Sequence, residues 1–200
     1  YTKKKRGQKM RIILASKSPR RRELLSALYR DFEIITEETD ETLPVGVHPR
    51  EGVAILAVRK GAAVKAKIGD EALIISSDTL VELDGVALGK PQDEADAARM
   101  LRSLSGKAHN VHTGVAVHYR GKVYSGTDST AVHFRPITEE EIAEYIASRE
   151  PMDKAGSYGI QSGAAIFVEK ISGDYYNVMG LPVCRLGEVL RTVAPELFSR

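Results

Sequence analysis

Three consecutive arginines follow the first apolar segment of the chain, where a helix is expected to begin. The apolar segment ends at Ser16, and Ser18 and Pro19 suit a helix N-cap and a first helical position. A helix N-terminus favours acidic side chains, so the arginines at positions 20–22 call for an anionic partner. A triphosphate would provide one, because arginine forms paired, charge-assisted bonds to phosphate oxygens. A solvated basic turn is the alternative.

A carboxylate follows the next strongly apolar run. Asp78 comes directly after residues 72–77, which predict a buried strand. At the carboxyl end of a parallel strand it would lie at the sheet edge where α/β proteins bind ligands. Asp78 could then bind a metal ion or accept a proton from water. An aspartate that merely forms a turn before Thr79 is the other interpretation.

Two lysines and an acidic loop could complete such a site. Lys60 falls in the apolar stripe of a predicted helix, so its ammonium either reaches solvent or points into a site. Lys90 lies in a tight loop, which by itself is typical of an ordinary exposed loop. Glu38, Asp40 and Glu41 form an acidic patch, and carboxylates opposite arginines suit a metal–phosphate site. A solvated acidic loop is the alternative.

A glycine-rich stretch over residues 153–163 predicts a loop that packs closely or adapts to a ligand. Gln161 lies in it, and its amide could bind the edge of a base through one donor and one acceptor. The histidines at 109, 112 and 118 lack a metal-ligand context. We assign His112 and His118 to the solvated face of a strand.

Composition excludes several classes of protein. The chain has 29 basic and 27 acidic residues, a net charge of +2, which is too even for a protein that wraps a polyanion. Apolar runs are far shorter than the roughly 20 residues of a membrane span. Cys184 is the only cysteine, which excludes an intramolecular disulfide and fits the reducing cytoplasm. We therefore expect no nucleic-acid and no membrane partner.

The first nine residues, YTKKKRGQK, stand apart from the rest of the chain. We interpret residues 1–9 as a tag remnant or a disordered extension. A nucleic-acid or localisation patch is the alternative, and strongly salt-dependent retention of DNA would reveal it. Residues 10–200 are expected to form one two-lobed domain.

Strands and helices alternate along the chain, and a hairpin interrupts them near the middle. This order predicts an α/β fold with a mixed sheet. The predicted strands cover residues 11–16, 32–36, 72–77 with an extended continuation at 80–83, 111–119, 123–134 and 164–171, and the predicted helices cover 20–28, 50–68, 93–104, 138–148 and 182–192.

Taken together, these segments resemble the Maf family of nucleoside-triphosphate pyrophosphatases. Each matching piece is modest, but the ordered set is specific and extends from about Met10 to Leu190. The pieces are Leu14-Ala15-Ser16-x-Ser18-Pro19-Arg20-Arg21, Asp40-Glu41, Lys60-Gly61-Ala62, Ser77-Asp78-Thr79, Gly89-Lys90-Pro91, and residues 150–156, 158–161 and 173–182.

The resemblance implies a fold, a reaction and a set of site residues. The fold would be the two-lobed α/β architecture of inosine-triphosphatase-like enzymes, with a cleft between the lobes. The reaction would split a nucleoside triphosphate between its α and β phosphates, with Mg²⁺ or Mn²⁺ as cofactor. By resemblance, Asp78 is the proton acceptor, Glu41 a metal-associated carboxylate, and Ser16, Arg20, Lys60 and Lys90 phosphate-binding residues.

Base preference divides the family at three positions. Here they are Arg21, Thr79 and Gln161, a combination that resembles the branch acting on dTTP and UTP. The family is often dimeric, so a homodimer is also expected. A nucleotide-binding regulator of septum formation without catalysis is the alternative, although the presence of Asp78, Glu41 and both lysines argues against an inactive site.

Overall fold

A mixed seven-stranded sheet frames the protein in the computed structural model, which describes residues 10–197. The strand order is β2-β1-β3-β5-β6-β7, with β4 paired to β3. The strands β1, β2 and β3 run parallel, and all other pairings are antiparallel. The predicted mixed α/β fold is confirmed. The predicted extension at residues 1–9 lies outside the described residues.

The predicted elements occur in the expected order along the chain. The strands are β1 Arg11–Leu14, β2 Glu33–Ile34, β3 Ala72–Leu83, β4 Val86–Leu88, β5 Ala108–Tyr119, β6 Lys122–Phe134 and β7 Val168–Ser172. The helices are α1 Pro19–Leu28, α2 Pro49–Ile68, α3 Glu94–Leu104, α4 Glu139–Ala147, α5 Tyr175–Met179 and α6 Val183–Val193. Two short elements, a strand and a helix, were not predicted: β4 and α5.

Local sequence signals explain where several elements begin and turn. Ser18 caps α1 by accepting the backbone N–H of Arg21, as its position before Pro19 predicts. A complete capping box opens α4. Arg120 and Gly121 both have positive φ angles and form the tight turn between β5 and β6.

Two predicted strands differ from those observed. The second is only Glu33–Ile34, because β2 pairs with just two residues of β1. The last begins late, since Gly163–Phe167 forms a 3₁₀ helix before β7 starts at Val168. Small residues at the start of that segment follow the glycine-rich loop and favour a tight turn over an extended chain.

Alternate residues of β3 face two different layers. Ile74 packs with Ile13 of β1 and Val64 of α2 in one apolar cluster. Leu73 and Ile75 join the larger core on the opposite face of the sheet. Because side chains alternate along a strand, even-numbered positions of β3 face α2 and odd-numbered positions face away from it.

The expectation that His112 and His118 lie on a solvated face is wrong. Both are buried, because α2 covers that face of β5. His112 contacts Glu82 at 2.6 Å and Ser129 at 2.7 Å, and His118 donates to the carbonyl of Val58 in α2 at 3.2 Å. The alternation of side chains along the strand correctly predicted that the two histidines share a face. It could not show that a helix covers this face.

On the other face, His109 is also buried and contacts the hydroxyl of Tyr158 at 2.8 Å. Burial lowers the pKa of His109 to about 4.

Across the described residues, no helix is both long enough and apolar enough to cross a membrane.

The close approach of α2 to β5 requires a glycine, and this can be tested. A Cβ atom at Gly114 would clash with the backbone carbonyl of Val53 in α2. We expect Gly114→Ala to lower the free energy of unfolding by about 1–3 kcal/mol or more, because backbone cannot move aside cheaply. Chemical denaturation measures the change.

Gly187→Ala is the matched control for this substitution. Gly187 lies inside α6 with open space around its Cα. Alanine there should stabilise the protein by up to about 1 kcal/mol, since it is the better helix former. Equal effects of the two substitutions would contradict the close packing of α2 on β5.

Candidate active site

A cleft of about 930 Å³ opens beside β3, next to the carboxyl end of the neighbouring strand β1. The strand β1 pairs with β3 as far as Leu14 opposite Ile75, and the backbone N–H of Ala15 makes a last bond to the carbonyl of Ile75 at 2.7 Å. Between Ile75 and Val81, where the pairing with β4 begins, the side of β3 that β1 occupied faces the cleft. Residues from the β1–α1 loop, from the loop before α2 and from residues 153–160 line the remaining walls.

Asp78 lies in this cleft, but not at the end of its own strand. The strand β3 continues without interruption to Leu83, so the predicted break after residue 77 is wrong. What ends is the neighbouring strand β1. Asp78 therefore occupies the carboxyl edge of the parallel part of the sheet while it stays in the middle of β3. Its side chain is largely buried.

The ammonium of Lys60 joins two carboxylates. It contacts Asp78 Oδ1 very closely and lies 2.7 Å from Glu41 Oε1. The helix α2 thereby connects the middle of β3 to the loop that carries Glu41. Lys60 points into the cleft and does not follow the helix surface to solvent. The hydrogen bond from Lys60 lowers the pKa of Glu41, with help from the nearby charges of Lys90 and Arg21.

Two other cations line the cleft without a carboxylate partner among the described residues. Arg20 stands at the start of α1 and Lys90 in the loop after β4, and neither forms an ion pair there. The sequence predicted both as phosphate-binding residues. Positive charges that lack protein partners in a concave surface attract a polyanion. The charges of Arg20 and Lys90 therefore suit the cleft to an anionic ligand.

Arg21 has a different role from Arg20, because its guanidinium is bonded to the protein. It donates to the carbonyl of Gly180 at 2.7 Å, to Thr79 Oγ1 at 3.0 Å and to Ser16 Oγ at 3.3 Å. Desolvation lowers the pKa of Arg21, while the charge of Asp78 opposes this effect. These bonds join the β1–α1 loop, the face of β3 that points away from α2, and the segment after α5.

Ser16 is buried at the start of this loop. Its hydroxyl also accepts the backbone N–H of Ser18 at 3.2 Å. The predicted residues Ser16, Arg20, Arg21, Glu41, Lys60, Asp78, Thr79 and Lys90 all line one cleft.

Gln161 is the predicted site residue that does not line the cleft. Its side chain is exposed, whereas its neighbours Gly159 and Ile160 belong to the cleft wall. The loop itself is firmly held, since Tyr145 accepts the N–H of Gly159 at 3.1 Å and Glu150 accepts the N–H of Gly163 at 3.0 Å. A role for Gln161 in base recognition stays a prediction.

Sequence reasoning gave no role to Lys154, which the structure places in the cleft wall. Its side chain is 10% exposed, and its ammonium donates to the Glu150 carbonyl at 2.6 Å and to Asp153 at 2.8 Å. A lysine inside a glycine-rich loop was a usable signal, because such a loop packs against something. Its burial depended on the fold around it.

Glu41 and Asp78 are the carboxylates that could hold a metal ion beside the phosphates. Within residues 10–197, no group of three or more His, Cys, Asp or Glu side chains is placed to bind a metal by itself. Magnesium is commonly bound by one or two carboxylates together with substrate phosphates. The hard oxygen donors of Glu41 and Asp78 fit that mode, in which the triphosphate provides the missing ligands.

These features define the class: a mixed α/β protein with a cleft that combines unpaired cations and a lysine-linked pair of carboxylates. The family model for Maf-like protein matches residues 11–193. The chain therefore belongs to the Maf family, as its motifs indicated.

Several relatives are similar along nearly their whole length. A protein of Alkaliphilus metalliredigens (strain QYMF) named dTTP/UTP pyrophosphatase is 50% identical over 182 residues, which cover 90% of this chain and 94% of the relative. A protein of the same name from Bacillus cytotoxicus is 48% identical over 181 residues, with the same coverage.

A solved structure, that of the Staphylococcus aureus Ham1 protein, covers 62% of this chain and 71% of its own at a TM-score of 0.45 and 14% identity. That score is too low to carry an argument, and the fold assignment rests on the sheet and the family match.

The link between Lys60 and Glu41 makes a prediction about charge. In Lys60→Met the main hydrogen bond that lowers the pKa of Glu41 is lost, so this pKa should rise towards its ordinary range. A carbon-detected NMR titration of the Glu41 carboxyl group measures it.

Lys65→Met is the control, because Lys65 lies on the same helix and pairs with Asp70 at 2.8 Å. The pKa of Glu41 should stay low in that variant. An unchanged pKa in Lys60→Met would contradict the proposed link.

Proposed function

We propose that this protein hydrolyses dTTP and UTP to the nucleoside monophosphate and pyrophosphate. The observation that carries the proposal is the cleft itself, which holds the Lys60–Asp78 contact together with Arg20 and Lys90, two cations that form no ion pair within residues 10–197. The names of relatives that are about half identical over nine-tenths of the chain support the same substrates. A pyrophosphate leaving group carries heavy negative charge, and this cleft is built to hold it.

Arg20, Lys60 and Lys90 are proposed to bind the triphosphate. Arg20 offers a planar pair of donors at the start of α1, where free backbone N–H groups also favour phosphate. Lys90 offers a point charge from the opposite loop. Ser16 supports this wall, because its buried hydroxyl orders the β1–α1 turn. These charges would also stabilise the pyrophosphate as the bond to the α phosphate breaks.

Asp78 is proposed to accept the proton of the attacking water. Its Oδ1 is bonded to Lys60, while its Oδ2 accepts no hydrogen bond from a described residue. One oxygen is thus fixed and the other is available to a water molecule in the cleft. A general base must reach the proton it removes, and holding one oxygen of the carboxylate orients the other. Lys60 is therefore both a phosphate-binding and a positioning residue.

Glu41 and Asp78 would hold a divalent cation, Mg²⁺ or Mn²⁺, together with the bound triphosphate. When bound, the cation would neutralise phosphate charge and increase the acidity of a coordinated water. Glu41 is suited to a site that forms with substrate, since it lies on a loop and its side chain is 61% exposed. Arg59 ties that loop to α2 by donating to the carbonyl of Thr42 at 2.6 Å.

Base choice is assigned to Arg21, Thr79 and, through its loop, Gln161. Arg21 and Thr79 are bonded to each other on the wall of the cleft opposite α2. Uracil and thymine share an edge in which one N–H group lies between two carbonyl oxygens. A mismatched polar edge in a buried site costs roughly 10- to 100-fold in kcat/KM.

We further expect a homodimer that works in the cytoplasm, where nucleoside triphosphates are made and used.

A panel of natural triphosphates tests the proposed function. Purified protein with Mg²⁺ should consume dTTP and UTP fastest, then CTP, then ATP and GTP, and should release pyrophosphate and not orthophosphate. Ion chromatography of the products follows both results in one assay.

Two outcomes would contradict the proposal. Equal kcat/KM for dTTP and GTP would remove the base preference and leave the pyrophosphatase activity standing. Tight binding of UTP without turnover, with either cation present, would favour the regulator without catalysis.

A further inference from the structure

The hydroxyl of Thr79 sits between two protein partners on the cleft wall. Arg21 Nη2 donates to Thr79 Oγ1 at 3.0 Å. Thr79 Oγ1 also lies 3.0 Å from Thr113 Oγ1, a neighbour across β3 and β5. Considered alone, the bond between the two threonines could have either hydroxyl as its donor. The other hydrogen bonds of Thr113 show which hydroxyl donates.

Thr113 has already used its only hydrogen atom. Its Oγ1 lies 2.8 Å from the backbone carbonyl oxygen of Asn177, and a carbonyl can only accept. A hydroxyl group has one hydrogen, so Thr113 cannot also donate to Thr79. Thr79 is therefore the donor, and its single hydrogen points at Thr113.

The carbonyl that starts this chain of bonds is fixed in place. Asn177 is fully buried, and its Nδ2 donates to the carbonyl of Val111 at 2.9 Å and to Thr130 Oγ1 at 3.0 Å. Thr130 in turn donates to the carbonyl of Asp174 at 2.9 Å. The short helix α5 is thus tied to β5 and β6 from two sides, so the Asn177 carbonyl cannot turn away from Thr113.

Thr79 is left with a lone pair and no hydrogen for a ligand. It has received one bond from Arg21 and given its proton to Thr113. We propose that Thr113 is a specificity-determining residue that makes Thr79 an obligate hydrogen-bond acceptor towards the base of the nucleotide. This proposal deepens the proposed function and rests on it.

Only one atom of the preferred bases satisfies such an acceptor. On the polar edge of uracil or thymine, O2 and O4 are acceptors, and the N–H at N3 is the sole donor. Thr79 therefore selects that N–H. Cytosine has a bare nitrogen at N3, so its lone pair would face the lone pair of Thr79, which is a repulsive contact in a partly dry site.

Arg21 completes the pattern beside Thr79. Three of its five N–H groups bind Gly180, Ser16 and Thr79, which leaves two with no acceptor among the described residues. A donor next to an acceptor matches a carbonyl oxygen next to an N–H group, as in the imide of uracil. With Arg21 facing O4, cytosine would mismatch this pair twice, at N3 and at its amino group.

The test compares UTP and CTP in Thr113→Val and Thr113→Ser. Valine keeps the shape of threonine but cannot accept the proton of Thr79, so the Thr79 hydroxyl becomes free to donate to N3 of cytosine. We expect kcat/KM for CTP to rise about tenfold, while that for UTP stays within a few-fold. Serine keeps the hydroxyl, so Thr113→Ser should retain the preference for UTP.

Thr79→Val separates the two residues. It removes the acceptor itself, so it should lower kcat/KM for UTP more than that for CTP, and because valine cannot donate to N3 of cytosine, kcat/KM for CTP should stay below that of Thr113→Val. A fall of equal size for UTP and CTP in Thr113→Val would overturn the proposal, because a purely structural role predicts that result.

A chemical probe keeps the test valid if Thr113→Val does not fold. The unaltered protein should hydrolyse 3-methyl-UTP at least about tenfold less efficiently than UTP, since the methyl group replaces the N–H. Equal use of both nucleotides would overturn the assignment of Thr79. Absence of UTP hydrolysis by the unaltered protein would instead refute the proposed function, so the two failures are distinguishable.

Discussion

The site depends on one constraint, the unequal lengths of two neighbouring parallel strands. The strand β1 ends at Leu14, while β3 continues from its last parallel pair at Ile75 to Leu83. The part of β3 between β1 and β4 stays in the sheet, because β5 pairs with it on the other side. The chain after β1 turns into α1 and builds one wall of the cleft. A strand that is paired on one side thereby faces the cleft along part of its length.

Alternation along this strand divides the chemistry between its two faces. Asp78 faces α2 and meets Lys60, whereas Thr79 faces the other way and meets Arg21 and Thr113. Two consecutive residues can thus take the roles proposed for them in hydrolysis and base choice without competing for space. The position of Lys60 depends on how closely α2 lies against the sheet, and Gly61 and Gly114 permit that approach.

The sequence was sufficient for the order of the main elements and for grouping most residues of the candidate site in one cleft. Periodicity located α2, β5 and β6, and the ordered motifs brought Asp78, Lys60, Glu41 and Arg20 into one hypothesis. It was insufficient where the outcome depended on a neighbouring element. The burial of His112 required the knowledge that α2 covers β5, and the buried Lys154 required the fold of its loop.

The continuity of β3 is a further example of this limit. Ser77, Asp78 and Thr79 are polar, and aspartate is depleted in strands, so the predicted buried strand ends at Ser77 and an extended segment follows from residue 80. In the structure their side chains bond to Gly180, Lys60 and Arg21, and the backbone pairs with β5 throughout. Tertiary contacts therefore decide the conformation of these residues.

The most direct test of this account is the single-turnover rate of dTTP hydrolysis in Asp78→Asn. The account predicts a loss of about 100-fold or more, the usual size of a general-base effect, with an unchanged circular dichroism spectrum. Asp128→Asn is the control, because Asp128 is also paired with a basic side chain, that of Arg185 at 3.1 Å, but lies outside the cleft lining, and it should keep its rate within a few-fold. A rate for Asp78→Asn close to that of the unaltered protein would contradict the role of Asp78 as proton acceptor.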